Sequence, residues 1–331
     1  MVLAFWRWRV LLLMLAFVSL VFGIAGGLAR LTPIPVSIGA LALHGPLMVS
    51  AFVGTLISLE RAAALERAWA YAAPVCAGLA GVVLLAGLPQ EGLALMALAA
   101  AIYTAAAIAA VRRRASLETG TVAGGGLAWL VGNLAVLIGF PAVPWWIAFF
   151  ALTIGSERLE RSRERERAPA VRMSFLLIAS ALFAAPLMPS FLGVMLVLLA
   201  LWLFAFDVAR GTLRAGKQPR YVALCLLAGY FWLAAGGVLM ALSLAYDAAL
   251  HALFLGFVFS IVFAHAPLPY SRLLYLPLVL LHGSLAVRVL VSREIGAWGN
   301  AAALALFIAL AAVLVLSRAW SGRPKRSAPG P

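Results

Sequence analysis

Apolar runs of about twenty residues follow one another along almost the whole chain, and such a run is what a helix needs to cross the hydrocarbon core of a bilayer. The runs fall near residues 10–31, 38–59, 70–88, 92–111, 120–139, 143–156, 171–188, 190–208, 221–243, 247–266, 271–291 and 297–317. The sixth is the shortest. Hydrophobic residues make up 65% of the 331 and charged residues 11%, well away from the half apolar and quarter charged of soluble domains. The pattern predicts an all-α, polytopic transmembrane helix bundle of about twelve spans, forming one integral membrane domain over residues 1–331.

Charge tests this count. With a cytoplasmic N-terminus and twelve spans, only Arg30, Arg288 and Arg293 of the 25 basic residues fall outside. A wrong count would invert every later loop, so the alternation places both termini in the cytoplasm of a bacterial inner membrane. The formal net charge of +14 then reflects topology and contact with the lipid bilayer, and it argues against a nucleic-acid partner. The first apolar run exceeds a signal-peptide core and lacks a small-residue cleavage site, so it reads as a retained helix. Residues 156–172, six arginines threaded with Glu157, Glu160, Glu164 and Glu166, read as a charged cytoplasmic linker between two sets of six spans. Residues 321–331 read as a disordered tail. Cys76 and Cys225 stand singly, in neither a disulfide nor a zinc spacing, and read as packing residues.

Candidate chemistry rests on four histidines, His44, His251, His265 and His282, each in or at the end of an apolar run. An imidazole in a membrane needs a partner within the protein, and a metal or haem iron is one such partner. At ~1.5 Å per residue, His44 lies about 9 Å below the outer boundary, His251 about 6 Å and His282 about 13 Å, a shared outer layer. His265 is two heptads from His251, so it returns to the same face about 21 Å deeper. There it reads as a cap on helix ten. On helix two, His44, Met48, Ala51, Thr55 and Ser58 form a polar or small stripe suited to a bundle interior. Trp129 and Asn133, below Gly124, Gly125 and Gly126 on helix five, are further candidates for cofactor contact, although such glycines more often serve helix packing. Asp247 and Tyr246 either orient His251 or cap helix ten.

His44-Gly-Pro-Leu-Met48 resembles the second helix of the haem-copper oxidase catalytic subunit, where a His-Gly-x-x-Met pattern supplies an axial histidine to a low-spin haem. That subunit has twelve core helices, and its other axial ligand comes from the tenth, the place of His251 here. The run His251-Ala-Leu-Phe-Leu-Gly256 is similar to a His-Ala-Leu-x-x-Gly run of the NnrS family, haem- and copper-containing membrane proteins of the bacterial nitric-oxide response. His44 and Met48 also suit that family's His-Ala-His-Glu-Met segment, although Pro46 stands where its second histidine would be. The matches are confined to helices two, ten and eleven.

The resemblance implies haem b held by His44 and His251, with His282 binding a second haem or, together with Met48, copper, since a thioether favours Cu(I). An oxygen-reducing binuclear centre is excluded, because it needs three further histidines, two of them adjacent. A redox or gas-response role with a redox partner is therefore expected, and whether the chain is an enzyme stays open, as does its oligomeric state. The alternative is a proton-coupled secondary transporter with a histidine relay.

Overall fold

Helix starts follow local chemistry. Pro89, Pro144, Pro169 and Pro189 each occupy a first helical turn, where the missing N–H has no partner to lose and φ is already helical. Ser116 opens another helix with a capping box: its hydroxyl accepts from the Thr119 N–H at 3.2 Å, and its own N–H donates to the Thr119 hydroxyl at 3.1 Å. The chain leaves two helices through Gly87 and Gly139 at φ 85° and 81°, a region costly for residues with a Cβ.

The structure is a computed structural model that describes residues 2–33, 43–162 and 168–321, with side chains over 9–33, 43–162 and 168–318. Among these residues all regular structure is helical. The long helices are α1 (Val2–Ala29), α2 (His44–Leu65), α3 (Ala68–Leu85), α4 (Pro89–Arg113), α5 (Leu117–Leu137), α6 (Val143–Arg161), α7 (Pro169–Leu187), α8 (Pro189–Phe206), α9 (Lys217–Ala241), α10 (Tyr246–His265), α11 (Arg272–Leu290) and α12 (Arg293–Ser321). Eleven of them are long and apolar enough to cross a membrane; α6 is the exception. Its C-terminal half carries Glu157, Arg158, Glu160 and Arg161, and every residue from Trp146 to Ser156 is buried. A helix buried on all sides by its neighbours is a core helix, which accounts for its short apolar run. In contrast, α1 turns Leu11, Met14, Phe17, Val21 and Phe22 outward, a broad exposed apolar face of the kind that meets lipid.

Two of the described helices carry a π-helical stretch. Leu47–Val53 of α2 and Ala252–Val258 of α10 are π-helical, the first three residues after His44 and the second directly after His251. Helix two, as described, opens at His44; the sequence reading began it at 38, and residues 34–42 lie outside the described residues. Leu43, with non-helical dihedrals, is its N-cap, and the Leu43 carbonyl accepts from the Leu47 N–H at 2.9 Å. Pro46 falls in the first turn after this cap, where its missing N–H costs least. His44 is the first helical residue after this cap.

Two compact units divide the chain. The first holds Met1–Asp207 and Ala234–Ala249; the second holds Val208–Leu233 and Leu250–Pro331. Within the first unit, α3 to α6 run as successive packed neighbours, and α1 packs on α2 and α3. There α8 and α9 approach closely at Gly193 and Gly237, where a Cβ on Gly193 would lie 2.6 Å from the Gly237 carbonyl oxygen. Within the second unit, α11 and α12 form a packed pair fastened by Asn300, whose amide donates to the Ser284 hydroxyl at 2.7 Å, and Phe263 stacks on Phe307 at 3.8 Å.

The segment read as a linker is largely structured. α6 continues to Arg161 and α7 begins at Pro169. Ser156, Arg158 and Ser162 are buried, while Glu160 and Arg161 are exposed. Arg158 forms a two-point pair with Asp207 (2.8 and 3.1 Å), and Arg172 reaches the Glu118 carboxylate at 3.2 Å. Buried charges persist only when paired, and these partners come from distant parts of the sequence. Residues 163–167 lie outside the described residues, as does nearly all of the tail, 322–331.

Candidate functional site

The His44 imidazole lies against α1. Gly27 makes room for it: a Cβ there would stand 2.8 Å from His44 Cε1 and 2.9 Å from Nδ1. One turn earlier, a Cβ on Gly23 would stand 2.6 Å from the Met48 sulfur. Two glycines four apart on α1 thus face two long side chains four apart on α2. The Gly23 carbonyl, 2.6 Å from His44 Nδ1, can only accept, so Nδ1 carries the proton and the ring lone pair is on Nε2. A backbone carbonyl on one ring nitrogen is the usual means by which proteins hold a histidine in the tautomer that binds metal through the other.

The π segment of α2 is tied to the core by a polar network. The Ser50 hydroxyl donates to Asn133 Oδ1 at 2.7 Å and accepts from the Trp129 indole at 3.0 Å. Trp146 donates to the same Asn133 oxygen at 3.0 Å, and the Asn133 amide reaches the Met96 carbonyl at 2.9 Å. Four helices meet here, and Ser50, Trp129 and Asn133 are fully buried. Gly54, at the end of the π segment, leaves space for Trp129, whose ring stacks on Phe149 at 5.1 Å. Trp129 and Asn133, candidates for cofactor contact from the sequence, spend these polar groups on one another's neighbours.

A second tryptophan stands beside the π segment of α10. A Cβ on Gly256 would run into Trp232, so the glycine lets this indole pack on the α10 backbone. Its N–H donates to His282 Nδ1 at 3.0 Å. An indole nitrogen only donates, so His282 accepts at Nδ1 and the neutral ring carries its proton on Nε2. That nitrogen is buried and has no hydrogen-bond partner among the described residues. In this geometry His282 presents an N–H where His44 presents a lone pair, although the sequence grouped them as ligands. His265 Nδ1 donates to the Ile261 carbonyl at 2.9 Å, in the last turn of α10, in keeping with a capping role. Asp247 lies in the first turn of α10, where a carboxylate favours the helix dipole.

His44 and Met48 are thus neighbours on the α1 face of the first unit, while His251 and His282 belong to the second unit on α10 and α11. No three His, Cys, Asp or Glu side chains among the described residues group closely enough to share a metal ion. Cys225 is buried, Cys76 is partly so, and both are free thiols. The sequence reading missed the Arg158–Asp207 pair. The available signal was Asp207 itself, one of 11 acidic residues, directly after an apolar helix.

Among the described residues all regular structure is helical, with eleven helices long and apolar enough to cross a membrane, two of them interrupted beside histidines, and this defines the class: a helical bundle of membrane-type helices. The chain belongs to the family described as a domain of unknown function, DUF8744, whose model matches residues 9–316. No curated protein and no solved structure matches it.

Proposed function

We propose that this chain is a haem-binding integral membrane protein of the bacterial cytoplasmic membrane, similar in kind to the NnrS proteins, with a redox or nitric-oxide-response role. His44 and His251 are the residues that the resemblance would have hold the haem. The observation that carries the reading is the hydrogen bond from His44 Nδ1 to the Gly23 carbonyl, which puts the lone pair on Nε2. The residues suit the group: a neutral imidazole on an apolar helix, seated in a space that Gly27 leaves open. Bound haem would supply a redox-active iron in apolar surroundings. The protein's own part is to fix the His44 tautomer and to hold Met48 beside it on α2, against Gly23 of α1. Iron and copper contents of the purified protein would decide whether copper accompanies the haem.

The second reading, a proton-coupled transporter, draws on the same π segments. Transporters commonly interrupt helices where substrate and ions bind. Histidine chains also relay protons.

The visible spectrum of detergent-purified protein, before and after dithionite, separates the two. The expected result is a Soret band with low-spin b-type features, lost in large part in His44→Ala and in His251→Ala, and retained in His265→Ala and His282→Ala. No Soret band from cells supplied with ample haem would overturn the haem reading and leave the transporter.

A further inference from the structure

The second unit carries a cleft of about 740 Å³ built from three stretches of chain: the segment leading into α9, the first turns of α9, and the segment opening α11. Its lining brings together Arg214, Lys217, Arg220 and Arg272 with the rings of Tyr270 and Tyr275, and contains no carboxylate. We propose that this cleft binds the phosphate group of an anionic phospholipid.

The positive-inside pattern accounts for basic residues near a membrane boundary, but not for four of them facing one cleft. Several basic residues elsewhere in the chain are engaged. Arg158 pairs with Asp207, Arg161 with Glu157 and Arg172 with Glu118, while Arg113 donates to the Leu65 carbonyl. Among the described residues, none of the four cleft cations has a carboxylate partner. Four like charges around one cavity repel, and an anion relieves that repulsion. The site is also held in shape. The Arg220 Nε–H donates to the Leu213 carbonyl at 3.1 Å, and Tyr275 sits edge-on to Tyr221 at 5.3 Å. Lys217 is the first residue of the 25-residue helix α9, whose N-terminal dipole adds to the positive field.

The remaining lining distinguishes a lipid from a soluble anion. Leu224 stands one turn beyond Arg220 along α9, exposed, and Leu213 faces the same cleft. Cations with an adjoining apolar wall match a glycerophospholipid, whose phosphate is joined to acyl chains. Inorganic phosphate would use only the cations.

The test is the thermal midpoint of full-length, delipidated protein in detergent, titrated with phosphatidylglycerol, phosphatidylcholine or inorganic phosphate. Phosphatidylglycerol is expected to raise the midpoint saturably and phosphatidylcholine to leave it unchanged. In an Arg220→Gln/Arg272→Gln variant the half-saturating lipid fraction should rise roughly 30-fold, at about 1 kcal/mol per cation near an anionic surface. Arg112→Gln, outside the cleft, should titrate as wild type. If the double variant fails to fold, single Arg214→Gln and Lys217→Gln variants at exposed positions carry the same test, each weakening lipid binding several-fold. Equal titration by phosphatidylcholine, or undiminished binding by the variants, overturns the site. Stabilisation by inorganic phosphate that phosphatidylglycerol does not exceed overturns the lipid as its occupant.

Discussion

Asn133 has two acceptor positions and two donors, and three of the four are used on groups from other helices. An interhelical hydrogen bond between spans averages about 0.6 kcal/mol, because the separated helices find other partners. Truncating Asn133 is a different matter. Asn133→Ala leaves the Ser50 hydroxyl and the Trp146 indole buried without this acceptor, so the loss should be about 2–4 kcal/mol, read by thermal or detergent unfolding. The Arg158–Asp207 pair follows a related logic. Both side chains are nearly inaccessible, at 4% and 1% exposure, so Arg158→Ala should cost about 3–5 kcal/mol by stranding the Asp207 carboxylate. Arg158→Met/Asp207→Leu, which removes both charges, should be more stable than Arg158→Ala. A double variant no more stable than that single one would mean the pair does more than neutralise itself. Neither set was legible in full from the sequence, since a wheel diagram locates Asn133 on a small-residue face without naming Ser50, Met96 or Trp146 as partners.

At the scale of the helix, the π segments decide what the sequence could not. Face and depth for the histidines were derived from 3.6 residues per turn, and that phase breaks wherever a wider turn intervenes. Such a segment lies between His251 and His265, so their two-heptad relation does not carry through. Another lies between His44 and Thr55, although Ala51, Thr55 and Ser58 are still buried as expected of their stripe. Existence of the elements was far more legible: α7 to α11 begin and end within a few residues of the apolar runs. Close approach at glycine gives a prediction at this scale. Gly27→Ala should displace the His44 ring and, on the haem reading, deplete or shift the low-spin spectrum. Gly283→Ala, next to His282 but with no heavy atom within 4 Å of the added carbon, should leave fold and spectrum unchanged. Equal spectra for the two variants would count against His44 as an iron ligand.

For the molecule as a whole, the distribution of basic residues leads to a topology experiment. Reporter tags at the N-terminus, within residues 163–167 and at the C-terminus should all read cytoplasmic. A periplasmic signal from the central tag would change the number of spans before it, with α6, the helix least suited to lipid, the first to be reassigned. The sequence by itself determined the all-helical class and where nearly every apolar helix runs, because backbone groups in hydrocarbon must be satisfied within the helix, which writes itself into the composition as apolar runs of fixed length. Which polar side chains meet follows from the packing of the helices. Gly23 sets the tautomer of His44, Trp232 takes the lone pair of His282, Asp207 holds Arg158, and four cations gather about one cleft. Each of these joins residues far apart in the chain, and hydrogen bonds and charges act over a few ångströms of space whatever the separation along the sequence.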